Sequence, residues 1–230
     1  MLRCRIQTLF INKPAGLLSQ SDRTGDVDVA ALAREYVRVA ANKPGEAFVA
    51  LVHRLDRPVS GVMCVARTSK AAARLSASFR AREGVEKIYH AVVAGSLTGS
   101  GTRRDFMVSP EESSPGGRGG GGDAVSTSAG KLAELEWEAV GLSPSAAARL
   151  RCPLTGSPRT VVRVRLITGR KHQIRAQLSE MGHPVVGDVR YGGGIRRDRS
   201  ILLHASELIL PHPTQPGILL RAAAAPPEAW

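Results

Sequence analysis

The segment VHRLDRPVSG, residues 52–61, sets a histidine, two arginines and an aspartate between the apolar runs 50–52 (ALV) and 62–66 (VMCVA). A plain turn is satisfied by Asp-Gly or Pro-Gly chemistry. Arg54-Leu55-Asp56-Arg57 instead places one carboxylate beside two permanent cations, the makings of an anionic nucleophile or base. Three more stretches carry polar groups in apolar settings. EKIYHAVVAG (86–95) holds Tyr89, and LITGRKHQIRAQLSEMGHPVVGDVRYG (166–192) holds Arg170, Lys171, His172, Arg175, His183 and Asp188. LLHASELILPHP (202–213) holds His204. Singly, each has a plain structural reading: Asp56 as a salt-bridge acid, Tyr89 as a core tyrosine, Arg175 on a solvated helix face, and His53, His172 and His204 as packing histidines. His53 and Asp56 lie too close together on one short loop to form a catalytic triad pair. The histidines lack carboxylate companions at metal-ligand spacing, and there is no P-loop or GxGxxG segment. What remains is a single carboxylate among cationic side chains, acting as nucleophile or base.

Such a carboxylate needs rigid elements around it. Continuous apolar runs on both sides of the 52–61 segment suit strands covered on both faces. Thr8–Asn12 reads as a strand and Lys13-Pro14-Ala15-Gly16 as a turn. Helices are expected over Val29–Ala40, with Leu32, Tyr36 and Val39 on its apolar face, and over Ser69–Ala81, capped by Thr68 with Ala72, Leu75 and Phe79 inward. Strands follow at Glu86–Gly95, Leu132–Val140 and Thr160–Ile167, the last with Arg163 and Arg165 on one face. A helix over Arg170–Met181 buries Ile174, Leu178 and Met181 and stops at Gly182. Ile201–Ala205 is a last strand before a Pro/Ala-rich tail. This alternation predicts an α+β fold, a mixed, mostly antiparallel central sheet with flanking helices and active-site loops. Residues 109–130, SPEESSPGGRGGGGDAVSTSAG, are too poor in apolar groups to build core and read as a flexible insertion.

Composition narrows the partners. The 230 residues carry 32 Lys+Arg against 20 Asp+Glu, a net +12 that suits a polyanion such as RNA, although an arginine-rich proteome would produce the same excess. Aromatics are 4%, so affinity is expected from phosphates and one pocket rather than from an open stacking sheet. Three scattered cysteines argue against a disulfide framework and fit a reducing compartment, cytoplasm or mitochondrial matrix. With no run of eighteen apolar residues, no membrane span is expected.

Read together, the stretches resemble the RluA-type pseudouridine synthase family. The matching residues are Lys13-Pro14-Ala15-Gly16, His53-Arg54-Leu55-Asp56 with Ser60-Gly61, then Lys87, Tyr89, Ala91, Val93 and Gly95. Thr168-Gly169-Arg170, His172-Gln173-Ile174-Arg175, Gly182-His183-Pro184, Gly187-Asp188, Tyr191-Gly192 and Leu203-His204-Ala205 follow in the family's order. The resemblance implies isomerisation of uridine to pseudouridine in structured RNA, rRNA or tRNA, free or in a ribosomal particle, without cofactor or metal. It implies that Asp56 is the nucleophile, acting at the base ring or at the ribose C1′ of a flipped nucleotide. Tyr89 is implied to stack on the base, Arg175 to pair with the aspartate, Ile167 to floor the pocket and Arg54 to hold the base out of its helix. Arg57, Arg163, Arg165, Arg170, Lys171 and His172 complete the expected RNA-binding set. Val59 stands where the family usually has Thr and loses a hydroxyl. A single catalytic domain over 1–230, without an N-terminal accessory RNA-binding domain, is the expected organisation. The competing reading is a catalytically retired RNA-binding or ribosome-assembly protein; the intact Asp56, Tyr89 and Arg175 favour activity.

Overall fold

The computed structural model describes residues 3–5, 7–42, 44–108, 125–126, 130–141, 157–227 and 230. The insertion expected at 109–130 lies almost wholly outside them. The chain is α+β, and it sorts into two compact units, Met1–Lys87 with Ala205–Pro226 and Ile88–His204 with Pro227–Trp230.

In the first unit, β1 (Arg3–Arg5) pairs with β2 (Thr8–Lys13) and β2 with β4 (Ser60–Ala66); β3 (Ala50–Leu51) also pairs with β4, all antiparallel. Residues Val62–Ala66 are at most 1% exposed, as a strand covered on both faces requires. The period of two explains how. Cys64, Ala66 and Phe10 pack against Ala71 and Leu75 of helix α2 (Ser69–Ala81), while Val65 and Leu9 pack against Ala33 and Val37 of helix α1 (Val29–Ala40). Each helix begins at a side-chain cap: the Asp28 carboxylate accepts from Ala31 N at 2.7 Å, and the Thr68 hydroxyl from Ala71 N at 3.1 Å. The bounds of both helices follow the sequence pattern, but the buried face of α1 does not. Leu32 and Val39 are 50% and 62% exposed, whereas Val29, Ala30, Ala33 and Val37 are buried. Ala33 and Val37 are the side chains that pack on Leu9 and Val65. β10 (Leu203–Pro211) runs past the strand expected at 201–205 and forms an antiparallel hairpin with β11 (Leu219–Ala223), a stretch that reads as tail. Alternate burial of Leu220 and Ala222 makes it a strand.

The second unit is an antiparallel run in the order β5-β9-β8-β6-β7: β5 (Glu86–Ala94), β9 (Arg159–Leu166), β8 (Lys131–Val140), β6 (Ser100–Val108) and β7 (Val125–Ser126). β6 has no counterpart in the sequence reading because its polar, half-exposed alternation resembles a linker. Helix α3 covers Gln173–Glu180, and Ala176 packs it on Met107 of β6 and Ala133 of β8. It starts three residues later than its apolar pattern suggests. His172 is left-handed at φ 57°, and the Gln173 amide ties the preceding turn. Its Oε1 accepts from the Thr168 hydroxyl at 2.7 Å and from Arg170 N at 3.0 Å, and its Nε2 donates to Glu134 O at 3.0 Å. Arg170, Lys171 and His172 therefore stand on a braced turn ahead of the helix.

Candidate active site

In the first unit, Asp56 is half-buried on the loop between β3 and β4. Residues 13–19 brace that loop. Ser19 is buried and its hydroxyl holds both backbone groups of Leu55, donating to O at 2.6 Å and accepting from N at 3.2 Å. Gly16 N donates to Arg57 O at 2.8 Å, and Val59 N to Asp56 O at 3.1 Å. Lys13, fully buried, spends its ammonium on three carbonyls: Leu17 at 2.8 Å, Pro14 at 3.0 Å and Arg57 at 3.1 Å. Burial pushes the Lys13 ammonium down to about 8; Asp56 opposes the shift and Arg57 adds to it.

Arg54 and Arg57, which flank Asp56 in the chain, have partners of their own. Arg57 pairs with Asp26 at 2.7 Å and donates to Gly16 O at 3.0 Å, and Arg54 reaches the Gln20 amide at 3.4 Å. The buried Lys13 ammonium also feels the Asp56 charge. As a turn residue before Pro14, Lys13 carries no signal of this role; only burial reveals it.

His53 is a packing histidine, as its plain reading had it. Its Nε2 accepts from Cys64 N at 2.8 Å, and its ring stacks on Phe79 with centroids 4.7 Å apart. Burial, with the Lys87 charge behind it, lowers its pKa to about 3, so the ring is neutral and held as an acceptor. The buried Cys64 thiol is pushed up to about 12 by the same desolvation and is no nucleophile at neutral pH. Gly61, at φ 121°, is the second residue of β4: a Cβ there would lie 2.3 Å from the Ala205 carbonyl oxygen.

In the second unit, Tyr89 is 8% exposed on β5, with Val164 of β9 as its register partner. The 184–186 segment fastens β5, with Val186 N donating to Val92 O and Ala94 N to Pro184 O. Ile167 follows β9 half-buried, its N donating to Glu134 O at 3.2 Å. Arg175 is buried on α3 and forms a bidentate pair with Asp188, Nε to Oδ2 at 2.6 Å and Nη2 to Oδ1 at 2.9 Å. Its guanidinium also lies 5.1 Å from the Tyr191 ring centroid. The solvated-face reading of Arg175 is thus replaced by a buried one, and Asp188 is a partner the sequence reading did not assign. A ring nitrogen of His172 meets the Tyr191 hydroxyl at 3.0 Å. Arg170 donates to Leu132 O at 2.9 Å, and Lys171 is exposed. Arg163 and Arg165 do share a face, but opposite acids: their register partners on β8 are Glu138 and Glu136, and Arg165 pairs with Glu136 at 3.2 Å.

The chain matches known proteins along this whole length. A family model described as RNA pseudouridylate synthase covers residues 7–180. tRNA pseudouridine synthase C of Yersinia pestis is 33% identical over 96% of this chain and 83% of its own. Ribosomal large subunit pseudouridine synthase D of Pseudomonas aeruginosa is 36% identical over 82% of this chain and 52% of its own. Among solved structures, human RNA pseudouridylate synthase domain containing 4 shares the fold, with a TM-score of 0.73 at 22% identity over 99% of this chain and 88% of that one. Motifs, α+β architecture and matched span agree: the chain belongs to the RNA pseudouridylate synthase family and is an RNA-modifying isomerase.

Proposed function

We propose that this protein converts uridine to pseudouridine in tRNA or rRNA with Asp56 as its nucleophile. The observation that carries the assignment is the bracing of the Asp56 loop. Lys13, Ser19 and Gly16 hold the backbone on both sides of a half-buried carboxylate, which is how a reacting group is kept in place. The relatives named above act on tRNA and on the large ribosomal subunit, which supports both RNA classes as substrates. The isomerisation breaks the N1–C1′ bond, forms a C5–C1′ bond, removes the C5 proton and leaves N1 protonated. Asp56 would attack the ring or the ribose C1′ of a nucleotide flipped out of its stack, because the glycosidic bond is inaccessible inside a duplex.

Tyr89 and Arg175 are proposed to serve the same reaction, Tyr89 by stacking on the base and Arg175 by electrostatic support. Ile167 is proposed as an apolar wall. Arg54, Arg57, Arg163, Arg165, Arg170, Lys171 and His172 are proposed to meet RNA. The pairs Arg57–Asp26 and Arg165–Glu136 dilute the charge that two of them can offer.

Pseudouridine mapping of cellular RNA with and without the protein, followed by assays on free tRNA, free rRNA and ribosomal particles, tests the assignment. Asp56→Asn preserves shape and removes the anionic oxygen. It should abolish modification, at least ~1,000-fold by the scale of covalent catalysis, while RNA affinity persists. An Asn variant that makes pseudouridine at the normal rate removes Asp56 from the mechanism.

A further inference from the structure

Arg175 is held by a cradle built before any substrate arrives. Asp188 occupies its Nε and Nη2, and Tyr191 covers one face of the guanidinium. The cradle is itself rigid. Gly187 N donates to Gly193 O at 2.9 Å, and Gly193 N donates to Asp188 O at 2.8 Å, closing the 187–193 loop. A Cβ on Gly193 would lie 1.8 Å from Val185 O, so the backbone passes there only without a side chain. Ser179, one turn beyond Arg175 on α3, donates to Tyr191 O at 2.7 Å and clamps the loop to the helix that carries the arginine. His172 meets the Tyr191 hydroxyl at the other end.

We propose that Asp188 and Tyr191 are positioning residues, which present the Arg175 guanidinium in one fixed plane to the reacting nucleotide. An unbraced arginine carries about 2 kcal/mol of rotamer entropy, which must be lost at the moment of reaction. A preset one acts without reorganisation. Asp188 takes Nε and one hydrogen of Nη2, which fixes the plane of the fork. The aim of the arginine is therefore set by where the 187–193 loop puts the carboxylate. The proposal rests on the reading of Arg175 as a residue of the uridine isomerisation.

The test is a double-mutant cycle on the full chain, with single-turnover rate, RNA Kd and thermal melting measured for each variant. Asp188→Asn should keep RNA Kd within about threefold and lower the rate about 10- to 100-fold, the scale of losing a charge-assisted hydrogen bond. Arg175→Ala should lose at least as much. The double variant should be no slower than Arg175→Ala, since the carboxylate acts only through the arginine. A normal rate in Asp188→Asn, or additive losses in the double variant, overturns the proposal. A normal rate in Arg175→Ala overturns the reading beneath it, a different outcome. If Asp188→Asn does not fold, Tyr191 carries the test. Tyr191→Phe keeps the ring over the guanidinium and should stay faster than Tyr191→Leu at equal Kd; equal rates overturn the proposal.

Discussion

The Lys13 ammonium donates to the carbonyl of Arg57 at 3.1 Å, across 44 residues of chain, and so fastens the end of β2 to the loop that carries Asp56. Lys13→Met keeps the length and apolar stem of the side chain but withdraws all three hydrogen bonds. Burying carbonyls without partners costs about 1–3 kcal/mol, and the loop should loosen. A lower denaturant midpoint together with a reduced single-turnover rate is the expected result. A variant with lower stability but the wild-type rate would make Lys13 purely structural.

The same residue sets a pH dependence. With its pKa lowered from 10.5 to about 8, folded Lys13 has lost its proton between those values while the unfolded chain still binds it. The unfolded state then binds more protons, so this group makes stability rise with pH from about 8 to 10.5. Lys87, lowered to about 8 chiefly by burial and then by Arg82, adds to the same slope. Urea midpoints measured across that window should rise less steeply in Lys13→Met and in Lys87→Met than in the parent.

His53 works at the acid end. Its folded pKa of about 3 lies below the ordinary 6.5, so the unfolded state takes up a proton that the folded ring refuses. Stability from this group is intact above about 6.5 and is lost progressively as pH falls toward 3. His53→Phe keeps a ring against Phe79 but removes the acceptor for Cys64 N. It should be less stable at pH 7 by about 1–3 kcal/mol and show a shallower acid slope. An unchanged slope would mean that the ring protonates within the fold.

Two glycines separate strain from space. Gly16 and Gly61 both have positive φ, 87° and 121°, but a Cβ on Gly16 meets nothing within 4 Å, whereas on Gly61 it would overlap the Ala205 backbone. Gly16→Ala should cost about 1–2 kcal/mol, the penalty for a left-handed residue. Gly61→Ala should cost more than ~3 kcal/mol or fail to yield folded protein, because backbone atoms cannot step aside. Comparable midpoints for the two variants would contradict the close approach.

RNA affinity should be governed by phosphates and should fall steeply with salt, given the net +12 and few aromatics. The cations are not equivalent. Arg54 faces a neutral amide, whereas Arg165 is held by Glu136. Arg54→Gln should lower the salt slope by about one and weaken binding more than Arg165→Gln does. Equal effects would show that the Glu136 pair opens when RNA binds.

The amino-acid sequence by itself determined what near neighbours can decide. The cap at Thr68, the doubly buried run Val62–Ala66 and the order of the motifs act over a few residues, so spacing makes them legible. The family, and with it the isomerase, followed from those motifs. The tertiary structure decided what depends on distant partners. Arg57 turns to Asp26, 31 residues away, and Arg175 to Asp188, 13 away; in each case the nearest opposite charge in space is not the nearest in sequence. Helix α3 starts late because the Gln173 amide satisfies the turn before it, and α1 is turned so that Ala33 and Val37, not Leu32 and Val39, meet the sheet. Lys13 reads as an ordinary turn lysine until the chain closes over it, because desolvation is a property of the packed fold and not of the residue.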